Sequence, residues 1–364
     1  MSIFTVVSLV VGLALLVLGA ELLIQGASRL ATTIGVPPLI IGLTVVAFGT
    51  SAPELAVSLN ASLNGQADIS LGNVVGSNIC NVLLILGTSA VIAPLVVAQQ
   101  LVRLDVPIMI GVSALMMFFG LDNQLSRSDG VILFLGGIAY TLYLLVQSRR
   151  EKNSAIQDEY KQLEARSLSI KQTSISVGLF FVGMTMLVAG SRWLVESAVE
   201  IATFLGASPL VIGLTVIALG TSLPELATSV MATLRGERDL AVGNVIGSNI
   251  FNILVVLGLT SAISDTGIYI SNSAQKFDIP VMLAVAIMCL PIFFTDNQVS
   301  RREGVLLLCY YVLYVGYLVA NAADPDSIWT GSINLIVVPL TLLMLCLLSW
   351  RTWLSFRRKR AAKE

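Results

Sequence analysis

Two carboxylates carry the most unusual chemistry in this chain. Glu54 and Glu225 lie in apolar stretches, at about 36–62 and 208–233, that hold no other charged residue. A carboxylate at the centre of a bilayer costs roughly 2.5–3.5 kcal/mol on insertion scales, so each needs a counter-charge. No Lys or Arg occurs in these stretches or in those that follow them, 70–93 and 240–263, which leaves a bound cation as the natural partner. Oxygen donors surround both glutamates. Ala47, Thr50, Ser51, Glu54 and Ser58 fall at helical spacing on one side, and Ser77 sits four residues before Asn81 on the next stretch. Ala218, Thr221, Ser222, Glu225 and Ser229, with Ser248 and Asn252, repeat the set. Pro53 has no N–H and its ring distorts the preceding turn, so backbone oxygens near 47–50 are expected to be free for coordination; Pro224 repeats the arrangement.

Carboxylates, hydroxyls, amides and carbonyls select hard cations such as Ca²⁺ or Na⁺ over zinc or copper. Two glutamates match the charge of one Ca²⁺, and Na⁺ ions using the same oxygens would compete with it. The chain has no histidine, which removes His-dependent triads, HExxH zinc chemistry and imidazole proton relays. Cys80, Cys289, Cys309 and Cys346 sit in apolar runs without CxxC spacing and are expected to pack as small hydrophobes. Ser51-Ala52-Pro53-Glu54 and Ser222-Leu223-Pro224-Glu225 also fit the S-x-x-E capping box, so helix capping and ion ligation are both open for these serines. In GNVVGSN (72–78) and GNVIGSN (243–249) the glycines are expected to serve close helix packing, and Ser77, Asn81, Ser248 and Asn252 to ligate. Asp105 and Asp278, each near a proline at the start of a span, are expected at the membrane interface, and the DNQ strings at 122–124 and 296–298 to start helices.

The elements that must position these residues are membrane spans. The 364 residues are 56% hydrophobic and only 12% charged, with mean hydropathy +0.88, against roughly 25% charged in an ordinary soluble domain. A net charge of -1 provides no basic field for nucleic acid. Eleven apolar stretches approach or exceed the length that crosses a bilayer: 3–24, 36–62, 70–93, 104–120, 130–147, 174–194, 208–233, 240–263, 277–295, 304–321 and 332–350. No basic residue precedes Arg29, so the first is expected to be a span and not a signal peptide. With the N-terminus outside, 18 of the 21 Lys and Arg fall in inside connections and only Arg127, Arg192 and Lys276 outside, so a cytoplasmic C-terminus in a multi-pass cell-membrane protein is expected. The charged connection 148–173 is expected to be a cytoplasmic linker.

The chain is internally duplicated. Residues 38–87 align without a gap on 209–258, an offset of 171, with 31 identities in 50 positions. Weaker matches extend outward, as in DNQLSRSDG (122–130) against DNQVSRREG (296–304). Five spans per copy is an odd number, so the second copy must enter the membrane from the opposite face. The fold expected is therefore an all-α polytopic membrane protein of two inverted five-helix repeats, 1–147 and 174–321, joined by the linker, with an extra span and basic tail in 322–364. Inverted repeats of this kind are the architecture of alternating-access transporters, with the site at the midplane.

GTSAPE with GSNICN, and GTSLPE with GSNIFN, resemble the two repeated motifs of the cation/calcium exchanger superfamily, close to its prokaryotic Na⁺/Ca²⁺ exchangers. The resemblance covers ten of the eleven spans. It implies an antiporter without cofactor or obligate protein partner, whose substrates are Ca²⁺ and Na⁺. It further implies Ca²⁺ shared by Glu54 and Glu225 with main-chain oxygens of Thr50 and Thr221. Sodium sites would draw on Ala47, Ser51, Ser77, Asn81, Ala218, Ser222, Ser248 and Asn252. Some relatives, including the potassium-dependent branch, have aspartate where Asn252 stands. An H⁺/Ca²⁺ antiporter on the same scaffold is the main alternative. An intramembrane protease lacks its His base or GxGD-like motif here, and a cation channel would want a continuous pore, usually about an oligomeric axis.

Overall fold

In the computed structural model, the structure describes residues 3–151, 170–206, 212, 215–216, 218–294 and 297–323. The linker for the most part, part of the seventh expected span before Ala218 and the whole of the eleventh lie outside them. The described helices are α1 (Ile3–Ile34), α2 (Pro38–Thr50), α3 (Ala52–Leu63), α4 (Ile69–Ile92), α5 (Leu101–Asp122), α6 (Arg127–Ser148), α7 (Ile170–Phe204), α8 (Leu223–Leu234), α9 (Arg238–Ile263), α10 (Ala274–Phe294) and α11 (Arg301–Ala323). Eight are each long and apolar enough to cross a membrane, and the bent pair α2–α3 makes nine. These nine correspond to expected spans one to six and eight to ten.

Burial is arranged for a lipid surround. Val7, Val10, Leu13 and Leu18 of α1 and Phe181 and Val182 of α7 are exposed, while Glu54, Glu225, Asn244, Ser248 and Asn252 are buried to 0% exposure. α4 and α9 are the most enclosed helices and hold the central polar residues. α5, α10, α6 and α11 pack around them with Met109, Met116, Met282, Cys289 and Phe293 in the core. Cys80 is buried as expected, whereas Cys309 is exposed on α11.

Close packing of α1 on α7 depends on glycines seven residues apart. A Cβ on Gly19 would lie 2.8 Å from the Gly183 carbonyl oxygen, and one on Gly190 would lie 2.7 Å from that of Gly12. Only small residues permit backbones to approach this closely in a membrane. Gly12 and Gly19 are the counterparts, at offset 171, of Gly183 and Gly190. Equivalent helices thus pack antiparallel, each glycine of one meeting the other's opposite partner.

The copies also meet at the two ends of the bundle. At one end β1 (Leu95–Val96) pairs antiparallel with β4 (Gln298–Val299), Arg301 donates to the Ile92 carbonyl at 3.2 Å, and Ser28 donates to Glu237 at 2.8 Å. At the other, β2 (Gln124–Leu125) pairs antiparallel with β3 (Ile268–Tyr269), Arg127 donates to the Ala262 carbonyl at 3.1 Å, and Thr5 donates to Glu200. The strands also correct one expectation. In the first DNQ string, Asn123 takes a left-handed φ of 66° and turns the end of α5 into β2, so the string ends a helix. α6 begins later, where Ser126 and Asp129 exchange capping hydrogen bonds.

Candidate ion-binding site

The site is built where two helices break. α2 stops at Thr50, the chain bends by 43°, and α3 restarts with Pro53 and Glu54 in its first turn. Ser51 sits at the break with φ -81° and ψ 6°, and Ser222 does the same before α8 with φ -87° and ψ 4°. Proline is tolerated here because the first N–H groups of a helix have no intrahelical partner. The positive end of the α3 dipole faces Glu54, and the last carbonyls of α2 present its negative end. The Ala47 carbonyl is not released as expected: it accepts the Ser51 N–H at 3.0 Å, and the Thr50 hydroxyl also lies 3.4 Å from it. π-helical turns at Asn81–Leu86 and Asn252–Leu257 begin at the two candidate asparagines of α4 and α9.

Neither serine caps its own helix. Ser51 Oγ instead donates to Glu225 Oε1 at 3.1 Å, and Ser222 Oγ lies within 3.4 Å of Glu54 Oε1 and 3.1 Å of Ser77 Oγ. Ser77 also donates to Glu54 Oε1, at 3.4 Å. The local capping box is therefore not formed, and each serine reaches the carboxylate of the opposite copy. These contacts bring Ser51, Glu54, Ser77, Ser222 and Glu225 into one buried cluster.

Several buried oxygens of the candidate residues have no partner. Glu54 Oε2, Glu225 Oε2, Asn81 Oδ1, Asn252 Oδ1 and Ser248 Oγ are all buried and accept or donate no hydrogen bond. Among the described residues neither glutamate forms an ion pair with Lys or Arg. Four of these five atoms can only accept when the glutamates are ionised, and a buried acceptor left unsatisfied costs roughly 1–3 kcal/mol. A cation satisfies them all. Among the described residues no three His, Cys, Asp or Glu side chains come together, so the donor set is two carboxylates with neutral oxygens, suited to hard cations.

Thr50 and Ala47 are buried beside this cluster. The Thr50 hydroxyl lies 3.1 Å from Asn244 Oδ1, its shorter contact, and 3.4 Å from the Ala47 carbonyl, and the Thr221 hydroxyl lies 3.2 Å from Asn73 Oδ1. Ala218 belongs to a helical turn, Ala218–Gly220, immediately before the second break; its side chain lies outside the described residues.

Reading the GNVVGSN and GNVIGSN strings for their glycines overlooks their asparagines. The glycine expectation itself holds in the second copy, where a Cβ on Gly247 would lie 2.7 Å from the Leu43 carbonyl oxygen. Asn78 donates to the Asn249 carbonyl at 3.2 Å, Asn81 to Asn249 Oδ1 at 3.0 Å, and Asn252 to Asn78 Oδ1 at 3.1 Å, forming an amide cluster where α4 crosses α9. The available signal was four amides repeated at offset 171 in stretches without charge. Asp105, at the start of its span, is enclosed by protein and accepts hydrogen bonds from Tyr140 at 2.9 Å and Gln100 at 3.2 Å; Asp278 accepts one from Tyr314 at 3.1 Å.

Known proteins share this architecture. The family model described as sodium/calcium exchanger protein matches residues 4–148 and 175–320. The chain is 40% identical over 313 residues to inner membrane protein YrbG of Escherichia coli, covering 85% of this chain and 95% of that protein. It is 33% identical over 338 residues to sodium/calcium exchanger MaX1 of Methanosarcina acetivorans, covering 84% and 96%. A solved structure of the sodium-calcium exchanger NCX_Mj superposes with a TM-score of 0.75 at 30% identity, covering 87% of this chain and 100% of that one. With its two family-matched segments coinciding with the two copies that form the broken helices, this multi-pass membrane chain belongs to the sodium/calcium exchanger protein family.

Proposed function

We propose that the protein is a secondary antiporter that exchanges Na⁺ for Ca²⁺ by alternating access. The observation that carries this reading is the set of five buried oxygens without partners, contributed by both copies and two of them carboxylate, with no Lys or Arg among the described residues paired to either glutamate. Ca²⁺ is shared by Glu54 and Glu225, with main-chain oxygens of Thr50 and Thr221. Na⁺ uses flanking oxygens of Ala47, Ser51, Ser77 and Asn81 and their counterparts Ala218, Ser222, Ser248 and Asn252. Competition for one carboxylate pair makes the two ions exchange.

In this reading the copies are inverted repeats, 1–147 and 174–321, with a cytoplasmic linker at 148–173 and a further span in 322–364. Three observations support the inversion: equivalent helices α1 and α7 pack antiparallel, β1 and its counterpart β3 lie at opposite ends of the bundle, and so do β2 and β4. The end holding β1 and β4 carries the excess of Lys and Arg and is assigned to the cytoplasm, with the N-terminus outside. Uptake of radiolabelled Ca²⁺ into vesicles loaded with Na⁺ tests the function, and the same uptake driven by a pH gradient without Na⁺ would replace sodium by proton coupling.

A further inference from the structure

We infer that Asn73 and Asn244 are positioning residues that lock the glutamate-bearing helix of each copy to the bent segment of the other. The inference rests on the ion-exchange reading above and concerns residues outside the ligand set.

The amides of the core fall into two kinds. Asn81 and Asn252 each keep a buried Oδ1 without a hydrogen-bond partner. Asn73 and Asn244 use both ends. Asn244 Oδ1 accepts the Thr50 hydroxyl at 3.1 Å while its Nδ2 donates to Ser229 Oγ at 3.0 Å. Asn73 Oδ1 accepts the Thr221 hydroxyl at 3.2 Å while its Nδ2 donates to Ser58 Oγ at 3.0 Å and the Glu54 carbonyl at 3.2 Å. Ser58 and Ser229 lie four residues after Glu54 and Glu225, one turn along the same helices. Each amide therefore bridges the glutamate helix of its own copy to the threonine beside the break in the other. Among uncharged side chains only an amide of this size accepts at one atom and donates at another, and aspartate could not supply the donor. The neighbouring Ser51–Glu225 and Ser222–Glu54 contacts run in the same cross-copy sense, so each break is pinned at two successive residues. Loss of the bridge should let the Thr50 or Thr221 carbonyl drift from its place beside the carboxylates and weaken Ca²⁺ binding.

A double-mutant cycle read by calorimetric Ca²⁺ titration of the purified full chain in lipid nanodiscs tests this. Asn244→Ala and Thr50→Val should each raise the half-saturating Ca²⁺ concentration about 2- to 10-fold, the range for one hydrogen bond. The double variant should be no worse than the worse single, because both remove the same bridge. Thr50→Val combined with Asn73→Ala should multiply, since these belong to different bridges. Thr50→Ser keeps the hydroxyl and should raise the half-saturating Ca²⁺ concentration less than Thr50→Val does, a comparison that survives even if the asparagine variants fold poorly. Multiplying effects for Thr50 with Asn244, or lowered melting temperatures with unmoved Ca²⁺ affinity, would overturn the inference. Wild-type protein that binds no Ca²⁺ would overturn the exchange reading and this inference together. Normal wild-type binding with unaltered variants would overturn this inference alone.

Discussion

Ser51 donates its hydroxyl proton to Glu225 Oε1 at 3.1 Å, across 174 residues of chain. The reciprocal contact, from Ser222 to Glu54, measures 3.4 Å. Each serine thus ties the break in its own copy to the carboxylate of the other, and the two half-sites cannot be built separately. Ser51→Ala and Ser222→Ala should each raise the Na⁺ concentration that half-maximally drives Ca²⁺ uptake, by about 10- to 150-fold if one hydrogen bond to a charged group is lost. A sodium titration of vesicle uptake checks this. A fall in thermal stability with an unchanged sodium dependence would return these serines to a capping role.

Glu54→Gln and Glu225→Gln should each abolish Ca²⁺ exchange while the protein still inserts. A neutral amide leaves a divalent ion with half its counter-charge, and at a separation of about 4 Å a unit charge is worth roughly 4 kcal/mol even at an effective dielectric of 20. Either variant transporting at the wild-type rate would remove that residue from the site. The same carboxylates set the pH dependence. In this reading a proton neutralises a group that holds the cation, so acidification should slow vesicle Ca²⁺ uptake and alkalinisation restore it.

Glycine at the α1–α7 contact permits backbone approach that no side chain allows. Gly19→Ala places a methyl 2.8 Å from the Gly183 carbonyl oxygen and should lower stability by about 1–3 kcal/mol, the usual cost of overpacking. Gly178→Ala, on the exposed face of α7, should leave the melting temperature in detergent unchanged. Equal melting temperatures for wild type and Gly19→Ala would refute this account of the contact.

Removal of 332–364 should leave exchange measurable. Those residues lie outside both copies, and the family match ends at 320. A well-folded truncated protein that binds no Ca²⁺ would place the eleventh span within the transport unit.

The breaks at Ser51 and Ser222 and the carboxylates beside them were legible in the sequence because the motif occurs twice, in long stretches with no compensating charge. Nine of the eleven expected spans were legible from hydropathy alone. What escaped reading is what depends on the neighbouring copy. The S-x-x-E string describes only local partners, whereas Ser51 lies closer in space to Glu225 than its place in the chain suggests. The burial of Asp105 was not legible because one of its hydrogen-bond donors, Tyr140, lies 35 residues away and on another helix. Asn73 and Asn244 were hidden by the glycines of their motif, and their role appears only when Thr221 and Thr50 are set against them.

Sodium-coupled exchange at a carboxylate pair is tested most directly by reconstituting the purified chain and measuring uptake of radiolabelled Ca²⁺ against defined Na⁺, pH and voltage gradients. The account predicts uptake when Na⁺ is inside and absent outside. The rate should change with membrane potential, since more than two Na⁺ in the additional oxygens would carry more charge than one Ca²⁺, and each net charge moved is worth about 2.3 kcal/mol per 100 mV. Ca²⁺ uptake driven equally well by a pH gradient with Na⁺ absent would contradict it.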